Sequence, residues 1–332
     1  MRWPLRLPRA RWLLAGFALA LAAGVVKSQH LDDRLLFLIK ESNLSQGERD
    51  ASVWLPGYHA VIQGKRLAGL DHDETSDLTY NPLSGTLYTV TGKKPLLVEL
   101  SRQGEVLRSI PLIGFSNPEG VAMMEDGSLA ITDERRRTLS IVKVDDLTTE
   151  LNAADAAEYD LGFPNSRNKG FEAIAWDAEQ GRLLLGKERE PRALFSWDSD
   201  GRDHMFGAMR ALPSDGLQMR NVSAMSIDPR TRHTLVLSAQ SNLLLELDER
   251  GEPISFISLI GGLNGLHQGI PRAEGVAMDE TGTIYMVSEP NLFYVFRKDP
   301  AVGAPAANAA GTATTDAPAS GHAAAVAAAP AG

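Results

Sequence analysis

The chain has 332 residues, no cysteine and a formal net charge of −9. Without cysteine there are no disulfides and no thiolate metal sites, so any metal would have to bind oxygen or imidazole. Arg2, Arg6, Arg9, Arg11 and Lys27 all sit at the N-terminus, and setting them aside leaves −14 on residues 28–332, a balance that repels phosphate backbones and argues against nucleic-acid binding.

The first 27 residues have the layout of an export signal: four arginines, an apolar run from Trp12 to Val26, then Lys27. As a helix that run would span only about 22 Å, short of the roughly 30 Å of a bilayer core, which suits a signal's apolar region better than a full span. Ala20-Leu21-Ala22 offers a small-x-small cleavage site, so a cleaved signal peptide and a retained inner-membrane anchor are both open. In either case the arginines would stay in the cytoplasm and the rest would cross, which predicts a periplasmic protein or one held at the outer face of the inner membrane.

Residues 28–57 are expected to be a spacer with one short helix around Asp33 to Lys40. From Tyr58 to Lys298 the chain repeats itself. Five restarts, Ser76-Asp77-Leu78-Thr79-Tyr80, Pro118-Glu119-Gly120-Val121-Ala122, Phe171-Glu172-Ala173-Ile174-Ala175, Val222-Ser223-Ala224-Met225-Ser226 and Ala273-Glu274-Gly275-Val276-Ala277, are spaced by 42, 53, 51 and 51 residues. That is the period of a four-stranded propeller blade rather than of a helical repeat.

Within each repeat a turn and further β-rich runs follow the restart, as in Gly120 to Met124, the turn Glu125-Asp126-Gly127, Ser128 to Thr132 and Leu139 to Val144. Fourth strands are expected at Val106 to Leu112, Ala157 to Leu161, His204 to Met209 and Ile254 to Leu259. The fifth repeat has none, whereas Tyr58 to Leu70 is β-rich and belongs to no repeat. Both facts are explained if the N-terminal strand completes the last blade and closes a ring, which also removes exposed sheet edges. The expected fold is therefore an all-β, five-bladed β-propeller, with a sixth blade hidden in residues 28–57 as the competing count. Beyond it, residues 299–332 are rich in Ala and Pro with almost no charge and are expected to be disordered.

Several stretches resemble the bacterial SdiA-regulated domain family, distant relatives of the NHL-repeat propellers: Thr132-Asp133-Glu134-Arg135, Asn168-Lys169-Gly170-Phe171-Glu172, Lys187-Glu188, Ala273-Glu274-Gly275-Val276-Ala277-Met278-Asp279 and Val287-Ser288-Glu289-Pro290-Asn291. The likeness covers Tyr58 to Lys298 and extends to loops as well as strands. It implies a five-bladed propeller exported from the cytoplasm, with a calcium site, and says little about activity.

In a propeller, the loop entering each innermost strand and the loop between the second and third strands open on one face. The first loop type supplies Asp77, Glu119, Glu172, Ser223 and Glu274; the second supplies Asp133 and Glu134, Glu188, Gln240 and Glu289, with Gly92 and Lys93 in the first blade. So many carboxylates in one place would raise each other's pKa and oppose folding unless a cation sat among them. An all-oxygen set of this kind suits calcium better than zinc. The candidate metal ligands are Glu119, Glu172 and Glu274, then Asp77, Asp133, Glu188 and Glu289. The competing reading pairs these acids with Arg135, Arg136, Lys169, Lys187, Arg189 and Arg272 in the same loops.

His267 lies in the long loop leading to Glu274 and could serve as a base beside calcium, although a lone loop histidine, like His72, is usually just solvated. The chain has no Gly-x-Ser-x-Gly and no His-Glu-x-x-His, so serine hydrolase and zinc protease layouts lack support. Two functions remain in view. One is an exported calcium-binding propeller acting as a binding or scaffold module for a protein or small-molecule ligand; the other is a calcium-dependent hydrolase of the lactonase or phosphotriesterase type. Propellers host both.

Overall fold

The computed structural model describes residues 8–28, 31–162, 170–189, 192–214 and 216–298. The Ala/Pro-rich tail, Lys169 and Asn168 lie outside these. Four of the repeats fold as antiparallel sheets in simple up-and-down order. Blade 1 is Thr75–Asn81, Thr86–Thr91, Leu96–Leu100 and Val106–Ile113, and blade 2 is Pro118–Met123, Leu129–Asp133, Thr138–Val142 and Ala157–Asp160. Blade 3 is Phe171–Asp177, Arg182–Lys187, Ala193–Ser199 and Met205–Leu212, and blade 4 is Ala224–Ile227, Thr234–Ser238, Leu243–Leu247 and Pro253–Ser258.

Blade 5 contributes only Ala273–Met278, Ile284–Ser288 and Leu292–Lys298 from the C-terminal end, and its outer strand is Tyr58–Arg66. The two chain ends pair antiparallel, Tyr58 opposite Lys298 and Ala60 opposite Phe296. This is the closure that the missing strand of the fifth repeat called for. The innermost strands contact one another in the cyclic order 1-2-3-4-5-1, so the ring is complete with five blades. Residues 28–57 hold no strand among those described, and the sixth blade is ruled out. One pairing has no counterpart in the repeat: Leu151–Asn152 adds to the outer edge of blade 1 in parallel with Leu112 and Ile113.

The core is divided in the same way as the fold. Five apolar clusters are each wedged between two adjacent blades, such as Val90, Leu97, Val121 and Ile131 between blades 1 and 2, or Leu78, Val98, Tyr285 and Val295 between blades 5 and 1. Because both faces of a blade are covered, strands such as Leu129–Asp133 and Leu243–Leu247 are buried at every position, and they show little of the alternation expected of a half-exposed sheet. Glycine is required where innermost strands meet. A Cβ on Gly120 would stand 2.5 Å from Thr132 Oγ1 and 2.7 Å from the Glu172 carbonyl oxygen, and one on Gly275 would stand 2.7 Å from the Asp77 backbone. Blade-to-blade contact there is backbone against backbone.

The N-terminal segment carries α1 (Pro8–Ser28), α2 (Leu31–Ser42) and α3 (Gln46–Asp50). Among the described residues no helix is long and apolar enough to cross a membrane. The segment expected to be a spacer is a strap along the outer edge of blade 4. Phe37 of α2 is buried against Phe256, ring centroids 5.8 Å apart. Arg34 donates to the Ser241 carbonyl oxygen at 2.9 Å, and the Glu41 carboxylate accepts the Phe256 backbone N–H at 2.7 Å. Farther along, the backbone N–H groups of Val53 and Trp54 donate to Glu246, and that of Leu55 to Ser255 Oγ. These contacts satisfy an edge strand that would otherwise present free backbone groups. Burial pushes the Glu41 carboxyl up to about 7, partly offset by the Phe256 N–H.

Candidate functional site

Four of the five innermost strands begin with a backbone irregularity, and this device creates the site. In blades 1, 2, 3 and 5 the ladder to the second strand skips one residue, and the skipped residues are Asp77, Glu119, Glu172 and Glu274. A bulge leaves its extra residue outside the pairing and re-aims the side chain, so four carboxylates leave their ladders at the same level of the ring. Ser223 occupies that position in blade 4 and is buried.

Glu119, Glu172 and Glu274 form the centre of the group. Glu119 accepts hydrogen bonds from Ser76 Oγ and from Asn117 Nδ2, both at 2.6 Å. Its carboxyl is nevertheless pushed up to about 8, first by burial and then by the charges of Glu134 and Glu274. Glu172 is pushed well above the usual carboxylate range by burial and by Glu188, Glu119, Glu274 and Glu134. Glu274 is raised by burial, with a hydrogen bond from Ser223 and the nearby Arg272 working in the other direction. Two hydroxyls thus link neighbouring blades around the mouth, Ser76 of blade 1 to Glu119 of blade 2 and Ser223 of blade 4 to Glu274 of blade 5.

Asp77 takes a different part. It is fully buried and accepts the backbone N–H groups of Leu78 at 2.8 Å and Val121 at 3.1 Å, so it fastens blade 1 to blade 2. Loss of water raises its pKa well above the ordinary value despite those bonds. Asp133 is also buried, and its oxygens are taken by the backbone N–H groups of Ser116 at 2.6 Å and Arg136 at 2.9 Å. Both side chains organise loops and have few lone pairs left for an ion.

The outer acids show the paired arrangement. Glu188 lies 2.8 Å from Arg189 Nε, Glu289 pairs with Arg272, and Arg272 Nε is also 3.9 Å from Glu274. Glu74, which the sequence pattern did not mark, pairs with Lys93 at 2.7 Å. Glu289 is still pushed up to about 7 by burial against the pull of Arg272. Arg136 turns away to Glu158, and Lys187 Nζ donates to the Arg189 carbonyl oxygen. The mouth therefore has an inner set of mutually repelling carboxylates and an outer set held by arginines.

His267 stands apart from this group. It is exposed, and its backbone N–H donates to Gln63 on the outer strand of blade 5, so it is not placed as a base beside the carboxylates. His72 is likewise exposed. A residue that the repeat pattern missed is Asn117, whose amide bridges Glu119 and Glu134 Oε2, the latter at 3.1 Å. Gly92 makes room for it, since a Cβ there would stand 2.9 Å from Asn117 Oδ1. A signal existed in the chain: Asn117 precedes Glu119 by two residues just as Asn221 precedes Ser223, and Asn221 Nδ2 donates to Ser223 Oγ at 2.9 Å.

The donors available at this mouth are all oxygens, although the buried Glu188 Oε2 is already paired with the Arg189 guanidinium. Such a set fits a hard cation like calcium and offers no thiolate or imidazole group for zinc. As the side chains stand, no three acid or imidazole groups among the described residues are drawn together tightly enough to grip one ion.

A family model described as SdiA-regulated matches residues 50–297. Among solved structures, the chain is similar to one from a crystal structure of a nidogen/laminin complex, with 16% identity and a TM-score of 0.44 over 65% of this chain and 72% of that one. It is also similar to virginiamycin B lyase from Staphylococcus aureus. The selenomethionine form gives 12% identity and a TM-score of 0.41 over 72% of this chain and 74% of that one. A catalytically inactive form with quinupristin gives 13% and 0.39 over 67% and 65%.

Proposed function

We propose a binding function for this chain, which belongs to the SdiA-regulated family: an exported propeller that holds calcium at its acidic mouth and uses that face as a binding or scaffold surface. The observation that supports this reading is the convergence of Glu119, Glu172 and Glu274 from three blades, with every carboxyl raised first by burial and then by acidic neighbours. Glu119, Glu172 and Glu274 would hold the ion, with the Asn117 and Ser76 oxygens beside them. Calcium would supply the positive charge that this cluster lacks, because the arginines nearest to it are engaged mainly with Glu188 and Glu289. Export is supported by the arginine-flanked apolar segment at the N-terminus, which would leave the propeller in the periplasm or at the outer face of the inner membrane.

The test is a set of thermal melts of wild type and Glu172→Gln, each in chelator and in millimolar calcium. Calcium binds only the assembled ring, so it should raise the wild-type melting temperature by mass action. Glu172→Gln should lose most of that gain while matching or exceeding the wild type in chelator, since it relieves repulsion. A mouth held by salt bridges alone behaves otherwise: it ignores calcium and loses metal-free stability when one acid is neutralised. A metal-stripped wild type indifferent to calcium would overturn the proposal.

A further inference from the structure

The opposite end of the central channel has a different chemistry. There the turns between first and second strands surround a cavity of about 360 Å³ to which all five innermost strands contribute. Its wall is apolar and soft, with Tyr80, Met123, Trp176, Met225 and Met278 among the side chains that face it. Thioethers and aromatic rings adapt to flat or rounded apolar groups, and the volume is in the range that encloses a small organic molecule.

The charged residues of the lining are Glu125 and Glu280; it contains no Lys, Arg or His. Glu280 is already engaged, 3.2 Å from Arg102 Nη2, and a hydrogen bond from Tyr80 helps hold its carboxyl below the ordinary value. Arg102 also covers the Tyr80 ring, 5.1 Å from its centroid. Glu125 is exposed and pairs with no cation among the described residues. It stands next to Trp176: a Cβ on Gly201 would lie 3.0 Å from Glu125 Oε2 and 3.1 Å from Trp176 Cζ2. An indole with no cation over it among the described residues, near a carboxylate with no counter-ion among them, at the rim of an apolar cavity, is the arrangement that receives an organic ammonium group.

We propose that this end of the channel is a second ligand site, distinct from the carboxylate mouth, for a small amphipathic cation: an aromatic or aliphatic amine whose apolar part fills the methionine-lined cavity and whose ammonium group sits between Trp176 and Glu125. An organic anion of the same size meets two carboxylates and no lining cation. The charge of the rim therefore sets the sign of the ligand, and the cavity sets its size.

The probes are benzyltrimethylammonium and, as an anion of similar size, benzenesulfonate, titrated into the full chain by calorimetry with tryptophan fluorescence as a second readout. The cation should bind saturably and at least about tenfold more tightly than the anion. Trp176→Leu should weaken it about tenfold, and Glu125→Gln should weaken it severalfold and remove most of its salt dependence. Glu172→Gln, at the other mouth, should leave it unchanged. If Trp176→Leu does not fold, the exposed Glu125→Gln carries the test alone. Equal binding of the two probes, no saturable binding at millimolar cation, or binding indifferent to Glu125→Gln would each overturn the proposal.

Discussion

Replacing Glu119 by Gln keeps the size of the side chain and most of its hydrogen bonding to Ser76 and Asn117, and removes one charge from the mouth. The folded protein holds the Glu119 proton up to about pH 8, against an ordinary value of 4.5, because burial comes first and the charges of Glu134 and Glu274 add to it. A carboxyl whose pKa is raised on folding favours the folded state most at low pH, and that contribution is lost as pH rises from the unfolded value to the folded one. At 1.36 kcal/mol per unit the full loss is about 5 kcal/mol, and water at the half-buried mouth screens it to about 2–5 kcal/mol. Urea unfolding in chelator between about pH 4.5 and pH 9 reads this directly: wild type should lose about 2–5 kcal/mol more than Glu119→Gln across the range. Calcium added at the alkaline end should restore wild type and leave the variant nearly unchanged. Stability curves that run parallel in chelator would refute the reasoning, since they would mean that Glu119 carries no cost on ionising in the folded ring.

Two further outcomes are expected. Gly120→Ala drives a methyl group into Thr132 and the Glu172 carbonyl, so it should cost about 1–3 kcal/mol of unfolding free energy, whereas Gly47→Ala in the open space around α3 should be neutral or gain a few tenths of a kcal/mol; equal urea midpoints would contradict the backbone contact between blades 2 and 3. A fusion of residues 1–60 to a reporter active only outside the cytoplasm should be active, and a stable but silent fusion would count against export.

Much of the architecture is written in the order of residues along the chain. The restarts at Asp77, Glu119, Glu172, Ser223 and Glu274 recur at blade spacing, and this spacing carried the number of blades. The absent fourth run after Lys298 and the unassigned β-rich run at Tyr58 carried the closure, because strand pairing is obligatory for backbone groups wherever it occurs. The carboxylates were visible for the same reason: a repeated backbone places equivalent positions at one level of a ring.

What each carboxylate bonds is decided only in three dimensions. Asp77, Glu119, Glu172 and Glu274 share one bulge position, yet Asp77 ends on the N–H groups of Leu78 and Val121 while Glu119 meets Ser76 and Asn117. Two of those partners, Val121 for Asp77 and Ser76 for Glu119, come from the neighbouring blade, 44 and 43 residues away in the chain, and no local period specifies them. The strap formed by Phe37, Glu41 and Val53 on blade 4 has the same character, since its contacts join residues some two hundred positions apart. So does the methionine-lined cavity, whose walls are drawn from five separate innermost strands. Local sequence determined which residues sit at the bulges and turns; ring closure determined which of them face one another, because only the closed ring brings distant segments within bonding distance.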